Sequence, residues 1–434
     1  MDEELPNPGV VVTFVVKIED ITNKVLEGVS ALSNEADKQK KIQQNISDLT
    51  KSLPKETWQE NLIKTFYDGN QYILFVTETF KDIRLVGFPP NGVGSFGGDT
   101  DNWSWPRHTG DFSIFRIYAD ANNKPSNYNT SNKPYRSKDF LTINANGYKE
   151  GDFTLVYGFP GVTQEYISSM QLEQVVNISD PIRIEARTKR LAVWTDYMRQ
   201  DRNVFLKYTS KRASVANGWK KWQGEVRGLK LNNAVEKKKN FEKEFQSWAN
   251  TSADAPAFAK DLLFKMQVSS ASRDAIIATN EYIREAVLGI ELIAQGAELD
   301  KMLGVFNADL SQQKIQDSIN KLTKATEGFY KNYDARTDQA VFAALMPLFI
   351  EKAKNYVPQS FFSELARNSK SYTDWADYVY SNSAATSIEK IKKISKNQII
   401  NDPAWKLYRA IIDLRNEKIT PSLLSYNDSL TRFN

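Results

Sequence analysis

The feature that most constrains the fold is a change of hydrophobic period near Tyr166. Before it, short β-branched runs recur between turn residues; after it, nearly every segment carries helical periodicity as far as Asn434. The two patterns differ too much to share one sheet. Residues 1–165 therefore predict a β-rich domain and residues 166–434 an all-helical one, a division that 434 residues accommodate.

Along the β-rich part, residues 10–18 form a β-branched run of the kind found in buried strands. Residues 21–52 turn helical and polar before Pro54, and residues 58–66 read as a second amphipathic helical piece. Strand patterns return at 72–79, 83–86, 112–118, 141–143 and 153–157. In the helical part, Asp180 is expected to cap and Pro181 to begin a long helix ending near Gln200, with later breaks at Gly218, Pro256, Gly304, Pro358 and Pro403. Trp194, Trp219, Trp222 and Trp405 lie in helical stretches and are expected in the core, whereas Trp105 before Pro106 reads as a loop anchor.

Composition excludes several function classes. There is no cysteine, so disulfides, zinc–thiolate sites and cysteine nucleophiles are ruled out. A net charge of +4 is too slight to imply nucleic acid, and basic clusters such as Lys237, Lys238 and Lys239 read as solvated helix faces. No apolar run reaches membrane-spanning length, and the first five residues are acidic where a signal peptide would be basic and then apolar.

Chemistry concentrates between Phe96 and Phe112, which hold two Trp, three Asp, a Gly pair and the only histidine, His108. Several readings compete. Asp99, Asp101 and Asn102 could open a calcium loop, although the distal ligand spacing is absent. Gly92, Gly94 and Gly97 match a dinucleotide loop in spacing alone, against a plain glycine-rich turn. His108 and Asp111 could form a local acid–base pair, or Asp111 could orient a histidine the chain does not contain. The bland alternative has His108 bonding the loop and Asp111 capping a turn.

The run Gly97-Gly98-Asp99-Thr100-Asp101-Asn102-Trp103, followed by Trp105-Pro106-Arg107-His108-Thr109-Gly110-Asp111-Phe112, resembles the signature of the bacterial dipeptidyl-peptidase 7 and 11 family, serine exopeptidases of the chymotrypsin-like clan. Supporting matches are Gly158-Phe159-Pro160-Gly161-Val162-Thr163 and Val215-Ala216-Asn217-Gly218-Trp219-Lys220-Lys221-Trp222. The resemblance implies a β + α multidomain fold: a partial chymotrypsin-like double β-barrel, residues 1–165, followed by a large all-helical cap domain, residues 166–434, expected to be incomplete at its C-terminal end. It makes Asp111 the acid of a Ser-His-Asp triad, and Asn102, Trp103 and Asn217 the contacts to a substrate's free amino terminus. No metal or organic cofactor is implied. The partners it implies are peptides with a free N-terminus, with no nucleic acid and no membrane span; a homodimer is left open.

The family's catalytic His and its Gly-flanked Ser have no counterparts among these residues, and His108 matches a motif position outside the triad, which gives it a structural role. The chain thus reads as an internal piece of a secreted or periplasmic serine dipeptidyl-peptidase, inactive alone, whose signal peptide would lie upstream. Gly218 stands where the family motif leads one to expect an aromatic. The rival from another class is a non-catalytic peptide-binding protein that keeps the cap and the amine pocket. Selectivity for the substrate's second residue is not readable.

Overall fold

The computed structural model of the chain describes residues 3–155, 164, 166–271, 273–368 and 371–423. It divides into two compact units, one of Met1–Gly98 with Pro106–Phe159 and one of Asp99–Trp105 with Pro160–Asn434. Strands lie in the first unit and long helices dominate the second, a β plus helical multidomain architecture.

Among the described residues the first unit holds seven strands: β1 (Leu5–Pro6), β2 (Val12–Asp20), β3 (Gln59–Phe66), β4 (Gln71–Phe80), β5 (Asp82–Gly87), β6 (Ile114–Ala119) and β7 (Lys133–Pro134). They pair antiparallel into a three-stranded sheet ordered β2-β4-β3 and a four-stranded sheet ordered β1-β5-β6-β7. Helix α1 (Glu35–Ser52) covers one face of the first sheet, where Ile42 packs with Tyr72, Leu74 and Val76.

Four expectations are corrected here. Residues 58–66 are not helical. Trp58, Leu62, Ile63 and Phe66 sit at helix-like spacing, yet Gln59–Phe66 pairs along its whole length with β4, which makes it β3. The run at 10–18 does form a strand, but not a buried one: β2 is the sheet's edge, and Val16 and Ile18 remain 51% and 62% exposed. Residues 141–143 form no strand; Leu141 is 94% exposed and pairs with no strand among the described residues. The described part of the 153–157 segment is likewise irregular, its remainder lying outside the described residues.

In the second unit, the helix expected to start at Asp180 begins earlier. Ser168 caps it with Gln171 in a reciprocal capping box, and helix Ser169–Gln174 continues through a π-turn, Val175–Ser179, into α2 (Asp180–Gln200). Pro181 has no N–H to give the preceding turn, and the wider π-turn absorbs that loss without ending the helix. A single extended residue, Asp201, then joins α2 to α3 (Arg202–Leu231), and its carboxylate accepts from the Asn203 amide. The two helices form a hairpin along which Trp194 meets Tyr208 edge-on and Trp219 Nε1 donates to Thr188.

Gly218 and Gly304 do not break helices; they lie inside α3 and inside Gly296–Asn307. At Gly218 the reason is spatial: a Cβ there would sit 2.6 Å from the Arg187 guanidinium, which donates to the Val215 carbonyl. Trp105 is 93% exposed and anchors nothing.

A ladder of buried charges holds α2 in place. Arg183 grips Glu281 of α4 (Asp274–Tyr282) through two bonds of 2.8 and 2.6 Å. One turn on, Arg187 grips Glu285 through bonds of 2.8 and 3.0 Å, and Arg190 adds a third at 2.9 Å. Trp222 of α3 lies against the Arg183 and Arg187 guanidinium planes, at 5.1 and 4.4 Å. Burial alone would raise the Glu285 carboxyl, but the Arg187 and Arg190 cations hold it below the usual range. The main core packs around this ladder, with Trp375, Phe342 and Phe361 stacked edge-to-face. No described helix is long and apolar enough to cross a membrane.

The ladder yields two expected outcomes. Glu285→Ala leaves Arg187 and Arg190 buried without their carboxylate and should cost about 3–5 kcal/mol, read from the urea midpoint at constant slope. Asp180, buried beside Arg183, has one carboxylate oxygen with no partner among the described residues. Burial, and then the Glu225 charge, push its carboxyl up to about 6. Because the folded value exceeds the unfolded one, this group favours folding at low pH and loses that favour as pH rises from about 4 to 6. Asp180→Asn should remove the effect, so the Tm of the variant minus that of the wild type should climb across that window and level off above it.

Candidate functional site

The segment Asp99–Trp105 belongs to the helical unit, where α3 receives it. The side chains meet at one atom. Asn217 Oδ1 accepts from Asn102 Nδ2 at 3.0 Å and from Trp103 Nε1 at 2.8 Å. An indole N–H can only donate, so this pairing fixes the Asn217 amide with its oxygen toward the segment. Trp103 holds a left-handed backbone, φ 57°, a conformation that costs a residue with a Cβ about 1–2 kcal/mol and persists where contacts over-determine it.

Two cations of α3 reach the same segment. Arg212 Nη1 pairs with Asp99 Oδ2 at 2.7 Å, and its Nε donates to Thr195 of α2 at 3.2 Å. Lys220 Nζ donates to the Asp99 carbonyl at 2.6 Å and also to that of Thr100. Beside these contacts a cavity of about 610 Å³ opens along the α2–α3 hairpin, walled by Leu191, Ala216 and Trp219 and bordered by Asn102, Arg199 and Arg212. Apolar walls with a few polar groups at the rim suit part of an organic ligand.

Three of the four residues singled out in the sequence therefore come together: Asn102, Trp103 and Asn217. The fourth, Asp111, lies in the β unit, exposed, three residues before β6. Its approach is fixed locally. The Gly110 amide donates to the Val93 carbonyl at 3.0 Å, a Cβ on Gly110 would sit 2.7 Å from the Val93 side chain, and Thr109 Oγ1 donates to the Phe96 carbonyl at 2.6 Å. His108 is exposed in the same loop. The glycine-rich stretch before it forms one helical turn, Asn91–Gly94, with Gly97 at φ 76°.

Asp99 of the calcium reading is engaged by Arg212, and among the described residues no group of three or more His, Asp or Glu converges as metal ligands would. The supporting motif 158–163 lies outside the described residues. Sequence reasoning missed Arg212 and Lys220. Their signal was available in hindsight: 212, 216 and 220 succeed one another at four-residue steps on α3, along the side that carries Asn217.

The profile of the family described as Peptidase S46 matches residues 1–431. The chain belongs to that family. Among S46 relatives it is 41% identical over 430 residues to an Asp/Glu-specific dipeptidyl-peptidase of Flavobacterium psychrophilum, covering 97% of this chain and 59% of that protein. It is 40% identical to a protein of the same name from Capnocytophaga gingivalis, with 96% and 59% covered, and 32% identical to a dipeptidyl-peptidase 7 of Porphyromonas endodontalis, with 94% and 50% covered. This S46 chain thus spans 59% of the length of the first two relatives. The crystal structure of Porphyromonas endodontalis DPP11 in complex with the dipeptide Arg-Glu matches 99% of the chain and 62% of its own length, with a TM-score of 0.83 at 28% identity.

Proposed function

We propose that this S46 chain carries the amine-recognition site and the catalytic acid of a serine dipeptidyl-peptidase that releases dipeptides from the free N-terminus of peptides. The observation that carries the reading is the convergence of Asn102 and Trp103 on the Asn217 oxygen. Asn217 Oδ1 already accepts two hydrogen bonds, so in this reading a substrate ammonium takes the place of one of the two donors. A peptide blocked at its N-terminus offers no ammonium for these amides to hold, and this loss selects for exopeptidase action. The names of the two relatives at 41% and 40% identity support an acidic residue at the substrate's second position.

In this reading Asp111 orients a histidine through its Nδ1–H and stabilises the imidazolium that forms as a serine attacks the carbonyl. Residues 1–165 contribute to a chymotrypsin-like double β-barrel and residues 166–434 serve as the helical cap domain; the enzyme acts in the periplasm or outside the cell. The chain's sole histidine, His108, matches the motif outside the triad, and no serine matches the family's nucleophile. By itself the chain binds substrate and does not cleave it.

Calorimetric titration of the chain with the dipeptide Arg-Glu and with its N-acetylated form tests the proposal. The free amine should bind at least tenfold more tightly, about 1.4 kcal/mol, and Asn102→Ala should abolish the difference. A dipeptidyl fluorogenic reporter should stay uncleaved. Equal affinity for the two ligands would refute the amine site, and turnover by the purified chain would refute the assignment of its catalytic residues.

A further inference from the structure

The contacts of Arg212 and Lys220 extend the amine-site reading, on which this inference rests. We propose that these two residues are positioning residues: a two-point cationic clamp on α3 that holds residues 99–103 so that Asn102 and Trp103 reach Asn217.

The argument is geometric. The short helical turn Gly98–Asp101 ends directly before the two recognition residues, and Trp103 holds a left-handed backbone and is 56% exposed. Arg212 takes the Asp99 carboxylate and is braced by Thr195; Lys220 takes two successive carbonyls, those of Asp99 and Thr100, the latter also accepting from Ser104 Oγ. Asn217 lies between the two cations on α3, so one rigid helix sets both the acceptor and the anchors of the segment that supplies the donors. The clamp is ionic and partly solvated, with side-chain exposures of 32% for Arg212 and 59% for Asp99. Salt therefore weakens it, although the amide contacts it positions are neutral.

The test uses the full chain and two readouts. In the absence of ligand, hydrogen exchange over residues 99–104 should quicken in the double variant Arg212→Gln, Lys220→Gln. Raising salt from about 0.05 to about 0.5 M should quicken it in the wild type and leave the variant unchanged. In titrations, the double variant should bind Arg-Glu at least tenfold more weakly while its affinity for N-acetyl-Arg-Glu is unaltered. The charge exchange Asp99→Arg with Arg212→Asp should recover affinity that either change alone loses. Unchanged exchange in the double variant overturns the clamp whatever the ligand data show, as does Arg-Glu affinity within twofold of wild type. A wild-type chain that does not discriminate the free amine overturns the amine-site reading instead, and exchange still decides the clamp.

Discussion

The paired bidentate grips of Arg183 on Glu281 and Arg187 on Glu285 are the constraint on which the helical unit depends. Burying five charged side chains is favourable only when the geometry satisfies them, and here two planar guanidinium forks meet two carboxylates while Trp222 covers them from α3. The arrangement fixes more than a pair of helices. Through Trp222, and through the space that Gly218 leaves for Arg187, the ladder sets the rotation of α3 about its own axis, and that rotation decides where Asn217 points.

From there the chain of causes runs outward. With α3 fixed, Asn217, Arg212 and Lys220 form one platform, and the segment bearing Asn102 and Trp103 folds onto it. The platform offers a neutral oxygen to Asn102 and Trp103, while Arg212 and Lys220 bond the carboxylate and carbonyls of the same segment.

Much of the strand content was legible because β-branched runs alternate at β4 and β6, and the helical half because its periodicity is sustained. What failed did so for reasons outside any local window. Gln59–Phe66 carries apolar residues at helical spacing and is a strand only because β4 pairs with its whole length. Residues 141–143 have strand composition and no partner strand among the described residues. Pro181 looks like a start signal, and a π-turn lets the helix run through it. At the site, Asn102, Trp103 and Asn217 could be named from motif likeness alone, but their meeting at one oxygen, across more than a hundred residues of sequence, depends on helix rotation. Arg212 and Lys220 share the side of α3 that carries Asn217, but in sequence they look like ordinary solvated cations, because their spacing does not reveal which distant segment lies against them.

The most direct measurement is the indole N–H resonance of Trp103 during titration with a free dipeptide, with N-acetyl dipeptide as control. The account predicts that this resonance shifts saturably with the free amine, does so only slightly with the control, and loses its response in Asn217→Ala. A resonance unmoved by the free amine at saturation, or moved equally by both ligands, would contradict the claim that Asn217 organises an amine-recognition site.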